Sequence, residues 1–389
     1  MIGGGIIGAS AAWQLAERGA DVLLLERGAL AGGATRRSQG LLLDPDHLEM
    51  RPLFDESNRL YDELAERSGI DLSLDREPIG TLFVATDDAQ MDLLAAGRPE
   101  QSELLDRAAV LRIEPALAAI VIGGLLLPGG RRSDPSALTV AAGHLARQAG
   151  AEIRCGVDVK RLSPRAVVTD GGIERAGTIL LAAGAWSRPL ALSAGHDLAV
   201  RPVRGWLAVT APVPPLVRHV VYEADYAPPP GPQPGQAVSM AELATGDLAE
   251  RGAAPATAMS VHQNADGTLM VGASRSAALR DGDEGADALR ANAARACTLV
   301  PALADVEVAT TWTGLRPFSA DGLPYIGHLE EWLVVCAGHG SEGILTGSGS
   351  GRLAAEITLG AEPYTDPSPF LPGRSPGEPV TGRRVTTVD

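Results

Sequence analysis

Apolar runs closed by a small or acidic residue recur along this chain, and amphipathic stretches of helical length separate them. Asp21-Val22-Leu23-Leu24-Leu25-Glu26 and Ile179-Leu180-Leu181-Ala182-Ala183-Gly184 are continuously apolar, as strands buried on both faces of a parallel sheet are. Trp332 to Ala337 reads as a third buried strand, feeding a helix that reaches about Leu359. Leu53, Leu60 and Leu64 form one stripe of a helix over 53–69, and helices are also expected at 89–96, 103–111 and 286–300. Ser133-Asp134-Pro135 opens another helix, with an acid to cap it and proline at its first position; it runs to about Gln148 and stops at Gly150. Strand patterns occupy 81–86, 151–155, 158–162, 166–169 and 306–314, and 201–210 begins a different region. Segments 258–262 and 268–275 read as a hairpin around Asp266-Gly267, with Met259 and Val261 on one face and Ser260 and His262 on the other. The proline-rich 227–235 is expected to be a surface excursion, and the tail 361–389 largely irregular.

The first strand-helix-strand unit carries a candidate ligand site. Gly3-Gly4-Gly5-Ile6-Ile7-Gly8 precedes a helix that Gly19 can end, and Glu26 closes the next strand eighteen residues after Gly8. In this pattern Gly3 allows the tight turn, Gly5 lets backbone N–H groups approach a pyrophosphate, and Gly8 lets helix and strand pack closely. The helix N-terminus offers unpaired N–H groups to phosphate, and the acid accepts hydrogen bonds from a ribose. A glycine-rich turn with no ligand is the alternative. Only Met1 and Ile2 precede Gly3, so either a truncated start or a shortened central strand is expected.

These elements imply an α/β fold: a Rossmann-like dinucleotide domain with a parallel sheet, interrupted by an α+β domain with a mixed or antiparallel sheet. The expected boundaries are 1–80, 133–200 and 308–365 for the first domain, 81–132 and 201–307 for the second, and 366–389 for the tail. Ligands in such folds lie in the crevice at the carboxyl ends of the strands.

Composition narrows the chemistry. A length of 389 residues favours two domains, and a net charge of −15 argues against nucleic acid or an anionic membrane as partner. Cys155, Cys297 and Cys336 form no CxxC pair, which disfavours a disulfide scaffold or a metal site. No apolar run approaches the roughly 20 residues of a membrane span, and no signal-peptide pattern opens the chain, so a soluble cytoplasmic protein is expected.

Five motifs occur in order: GGGIIG with Glu26, Ala182-Ala183-Gly184-Ala185-Trp186-Ser187, Gly314-Leu315-Arg316-Pro317, Asp321-Gly322-Leu323-Pro324-Tyr325-Ile326-Gly327, and Gly338-His339-Gly340. Together they resemble the glycine oxidase, D-amino-acid oxidase and sarcosine oxidase family of FAD enzymes, over the chain up to about Phe370. The resemblance implies that Gly3, Gly5, Ile6, Ile7 and Gly8 hold the FAD pyrophosphate, and that Glu26, followed by Arg27, holds the adenosine ribose. It implies that Ala34, Thr35, Ser38, Gln39 and Gly40 run beside phosphates and flavin, that Val159 meets adenine through its backbone, and that Ala183, Gly184 and Trp186 pass the ribose side. Gly314 joins this set, and Gly338, Gly340, Ser341, Glu342, Gly343 and Ile344 are to place a helix N-terminus at the flavin edge. No cysteine stands where sarcosine oxidases tether flavin, so non-covalent FAD is implied. Ser38-Gln39-Gly40 and Ser341-Glu342 depart from the family pattern.

The implied reaction is oxidation of a small amino or imino acid to the imine, by hydride transfer from Cα to flavin N5. Arg316 matches the family's carboxylate-binding arginine, whose planar fork binds a carboxylate through two parallel hydrogen bonds; a structural ion pair is the alternative. His339 is expected to order its loop or to contact flavin through its backbone rather than to transfer protons. Ser260 and Arg275, with His262, are candidates to line the substrate face, the alternative being a solvated polar face. Tyr222 and Tyr226 are candidates for a lid on a loop, and packing is an alternative role for Trp186. A 2-hydroxy-acid dehydrogenase and a flavin-carrying subunit of a hetero-oligomer are competing functions, with oxygen or a downstream acceptor taking the electrons. A homo-oligomer is also compatible with the sequence, and an NAD enzyme is disfavoured because the later motifs match flavoprotein positions.

Overall fold

A computed structural model describes residues 1–96, 98–224, 256–276 and 284–374. The expected proline-rich excursion at 227–235, Tyr226, and the tail beyond Arg374 lie outside the described residues. The chain divides into two compact units. Met1–Leu74, Ser133–Pro202 and the described residues from Leu315 onward make the first. The described parts of Asp75–Arg132 and Val203–Gly314 make the second.

The first unit holds the buried strands. Leu23–Glu26 pairs in parallel with Glu152–Cys155, and Ile179–Leu181 pairs in parallel with Leu333–Ala337. Ile2 joins the two pairs through parallel bridges to Leu25 and Leu181 and so stands in the place of the central strand. Tyr325–Glu330 adds an antiparallel edge strand that the turn-like Asp321–Gly327 motif does not announce. A separate three-stranded antiparallel sheet, Val159–Ser163, Ala166–Thr169 and Gly172–Arg175, follows.

Helices Ile6–Glu17, Arg51–Arg67, Pro135–Gln148 and Gly347–Leu359 share one core with Trp13, Tyr61 and Leu353 at its centre. Asp134 caps its helix as the sequence requires, accepting from the N–H groups of Ser136 and Ala137. The glycines of the last helix have a packing reason. A Cβ at Gly349 would lie 2.3 Å from the Leu53 carbonyl oxygen, and one at Gly351 2.8 Å from the Ala11 nitrogen.

Residues 361–374 are irregular apart from a 3₁₀ turn at Ser368–Phe370, as expected, but they are tied down. Phe370 is buried in the first unit's core, and the Arg374 guanidinium holds both carboxylate oxygens of Asp321 at 2.8 Å while donating to the carbonyls of Leu323 and Pro324. Burial works to raise the Asp321 carboxyl pKa, but the hydrogen bonds and charge of Arg374 hold it below its ordinary value.

The second unit is built on a mixed eight-stranded sheet. Val308–Ser319 and Val200–Thr210 lead in from one edge, the Ala256–Gln263 and Leu269–Arg275 hairpin follows, and Val220–Glu223 pairs in parallel with Thr81–Ala85. Helix Glu284–Leu299 contributes Ala296 and Leu299 to a core with Met259 and Val261. The helix expected over 103–111 is instead a strand, Glu103–Asp106, followed by a helix, Arg107–Ile113. Asp106 is the reason: its carboxylate accepts the Ala109 N–H at 2.8 Å and starts the helix one residue later. Among the described residues no helix is long and apolar enough to cross a membrane, and no group of His, Cys, Asp or Glu is placed to hold a metal ion.

Candidate functional site

The site begins where the chain leaves Ile2. Gly3 turns with φ +102°, and a Cβ there would stand 2.4 Å from the Ala182 carbonyl oxygen. A Cβ at Gly8 would stand 2.0 Å from the carbonyl of Gly3 itself, so only glycine lets the helix sit this close. Gly5 leads in as extended backbone, and the helix starts at Ile6 and Ile7 with no capping side chain on Gly5 and no acid in its first turn. Its positive end therefore faces whatever lies beyond the strand ends. The Thr35 hydroxyl accepts the Ile6 N–H at 3.2 Å.

Glu26 reaches back to the same turn. Its carboxylate accepts the Gly4 N–H at 2.7 Å and the Gly28 N–H at 2.8 Å, which fixes the acid at the end of its strand. Ala34 leads into a 3₁₀ turn over Thr35–Arg37, closed by the Ser38 hydroxyl on the Thr35 carbonyl. Gln39 is half-buried, and the Gly40 carbonyl accepts both the N–H and the hydroxyl of Ser133. Val159 is buried in one cluster with Ile2 and Leu25. Ala183 and Gly184 are half-buried and lead into Trp186, whose ring lies 3.5 Å beneath the Arg27 guanidinium. A packing role for Trp186 in the core does not hold, because it is 36% exposed.

At the end of Leu333–Ala337, Gly338 and Gly340 both take positive φ and present His339 between them. Residues 338–344 are a turn rather than the helix N-terminus itself, which comes at Gly347. The turn is held from several sides. Gly340 donates to the Pro317 carbonyl, Glu342 accepts the Asp46 N–H at 2.7 Å, and the Tyr61 hydroxyl donates to the Ile344 carbonyl. Ser341 is exposed, Gly343 half-buried and Glu342 buried. The His339 imidazole is only 1% exposed, and burial pulls its pKa down to about 3, so it is neutral at physiological pH. Among the described residues neither of its nitrogens has a hydrogen-bond partner, nor does the buried Ser319 hydroxyl of the neighbouring segment. Buried polar atoms of this kind call for a polar partner. With the glycine-lined start of the helix and the fixed acid, they fit a bound dinucleotide cofactor.

Arg316 is half-buried on the first-unit end of Val308–Ser319, and Gly314 is the last second-unit residue on that strand. In the second unit Tyr222 and Ser260 are cross-strand partners, and the Tyr222 ring stacks on Phe83 at 5.3 Å. Tyr222 is a buried strand residue, which corrects its expected place on a loop and with it the lid. Ser260 and His262 are fully buried, which overturns the solvated-face alternative for them; half-buried Arg275 stands at the end of its strand. Tyr61 and Asp46, which hold the 338–344 turn, escape sequence reasoning. Tyr61 sits one position past Leu60 on the helix stripe and reads as core, and Asp46 contributes only its backbone.

A family model described as FAD dependent oxidoreductase matches residues 1–357. The chain belongs to this family. As an FAD-dependent oxidoreductase it is 30% identical to a glycine oxidase of Geobacillus kaustophilus, with 95% of each chain covered. It is 28% identical to the hydrogen cyanide synthase subunit HcnC of Pseudomonas aeruginosa, over 98% of this chain and 96% of that one. The crystal structure of glycine oxidase from Geobacillus kaustophilus superposes with a TM-score of 0.78 at 27% identity, covering 97% of this chain and 98% of that one. The α/β reading with a mixed second sheet and the FAD cofactor both stand.

Proposed function

We propose that this FAD-dependent oxidoreductase oxidises a small amino or imino acid, of the glycine, sarcosine or D-amino-acid class, to its imine. The observation that carries this reading is the end-to-end correspondence with glycine oxidase, which leaves neither unit without a counterpart. The first unit is the FAD-binding one, with Gly3 to Gly8, Glu26, the 34–40 loop and the 338–344 turn as its contacts. No cysteine lies in that turn, which supports non-covalent FAD. Bound FAD supplies a two-electron acceptor for the substrate Cα–H bond. The chain's own task is orientation: the Arg316 guanidinium grips the carboxylate through two parallel hydrogen bonds, and fixed geometry of that kind lowers the barrier by several kcal/mol. His339, neutral and buried, takes no part as a general acid at neutral pH and serves as a hydrogen-bonding group.

The test is anaerobic bleaching of the flavin absorbance against glycine, sarcosine, D-amino acids, hydroxyproline and 2-hydroxy acids. Bleaching by amino or imino acids supports the reading, whereas bleaching by 2-hydroxy acids alone replaces it. The likeness to HcnC, a synthase subunit, favours a second reading in which electrons pass to a partner chain. Oxygen consumption by the isolated chain separates the two.

A further inference from the structure

The two edges of the second unit's eight-stranded sheet are unlike. Glu103–Asp106 closes one edge with four residues and an acid at each end, the usual protection of an edge strand. Val308–Ser319 closes the other and, among the described residues, has Val200–Thr210 as its one neighbour. It is 12 residues long, and no charge stands between Glu307 and Arg316. Val308, Ala309, Thr310, Thr311 and Thr313 are exposed, Val308 to 53%, and Trp312 is half-buried. Successive side chains of a strand point to opposite faces, so both faces are bare over this stretch. Its residues are mostly β-branched or aromatic, the types that favour strands, and none is the lysine or proline that blocks pairing. The outer row of backbone N–H and C=O groups is thus a template for one more strand.

We propose that this edge is a self-association surface, at which the 308–313 stretches of two copies of this chain pair antiparallel about a twofold axis. Charge selects both the occupant and the direction. Glu307 stands at one end of the uncharged stretch and Arg316 at the other, so antiparallel pairing sets the acidic end of each copy beside the basic end of its twin. Parallel pairing would set Glu307 against Glu307, and like charges directly opposite are unfavourable. An axis at Thr311 also places Thr310 opposite Trp312, a β-branched residue against an aromatic one, which is a favourable cross-strand pair. No ion pair to Arg316 is required, since the backbone ladder supplies the contacts. A ladder of about six residues is well below a standard interface, so exchange between one and two copies in the micromolar range is expected.

The experiment is sedimentation equilibrium on the full chain with its flavin, over roughly 1 to 200 μM protein. The unmutated protein should move from its monomer mass of 40.2 kDa toward twice that value as the concentration rises. Thr311→Lys sets two ammonium groups against each other at the axis and should weaken the dimer about tenfold or more, with the flavin spectrum and thermal midpoint unchanged. Ala309→Lys, on the same face of the strand, serves if Thr311→Lys does not fold. Glu103→Gln makes the same one-unit change in net charge at the opposite edge and should leave the dimer intact. A monomer at every concentration would overturn the proposal, also where the edge takes a strand of another protein instead. A dimer that survives both lysine variants, or one that Glu103→Gln weakens equally, would overturn it as well. None of these results bears on the FAD-binding reading, which the flavin spectrum reports separately.

Discussion

Burial pulls the His339 imidazole down to about 3, against an ordinary value of 6.5, and this makes the stability of the protein depend on pH in a calculable way. A base whose pKa is depressed by folding binds its proton in the unfolded chain first. Its unfavourable linkage is absent above about pH 6.5, grows as the pH falls below that, and levels off near 3. Between about pH 7.5 and about pH 5.5 the unfolded histidine gains nearly one proton and the folded one almost none, a loss of about 1.4 kcal/mol. The assay is urea unfolding at both pH values for the unmutated protein and His339→Gln, side by side, so that all other titrating groups cancel. The variant should lose about 1.4 kcal/mol less over that interval. Equal losses in the two proteins would refute the assignment of a neutral, buried imidazole. A cofactor group that stabilised the protonated imidazole would raise its folded pKa and flatten the slope, so the titration is best run with and without added FAD.

Other substitutions probe other parts. Arg316→Ala should reduce kcat/KM for carboxylate substrates by several kcal/mol in transition-state terms with the flavin still bound, and Arg316→Lys should recover little, because an ammonium lacks the fork; steady-state kinetics with the flavin spectrum decide it. Arg374→Ala leaves the buried Asp321 carboxylate without its main partner and should destabilise the first unit by about 3 kcal/mol, read as a fall in the thermal midpoint. Gly349→Ala puts a methyl group into the Leu53 backbone and should cost on the order of 1–3 kcal/mol, again by thermal unfolding, although alanine is intrinsically the better helix former.

Local chemistry explains what could be read in advance. The Gly3–Gly8 turn, the Glu26 stop, the Asp134 cap and the hairpin around Asp266-Gly267 each carry their cause within a few residues, and each was legible. The features that escaped depend on partners distant in sequence. Tyr325–Glu330 is a strand because Leu333–Ala337 pairs with it, not because its glycine- and proline-flanked sequence favours one. The segment 361–374 orders because Arg374 finds Asp321 and Phe370 finds the core. Gly347, Gly349 and Gly351 look like weaknesses until the neighbouring backbones are in place. Ser260 and His262 look like a solvated face in an alternating strand and are nevertheless buried.

The first unit is assembled from three separated stretches, and its sheet closes only when Leu333–Ala337 pairs with Ile179–Leu181. During synthesis, residues near Gly3 leave the ribosome tens of seconds before that closing strand at about 5–20 residues per second. Through this interval the nascent dinucleotide turn has its two flanking strands but lacks the outer strand and the last helix, and the inserted second unit can complete its own sheet first. A message cut short between Ser319 and the last helix therefore yields a chain whose inserted unit can be native while its opening stretch still exposes Trp13, Leu60 and Leu64 to the quality-control machinery.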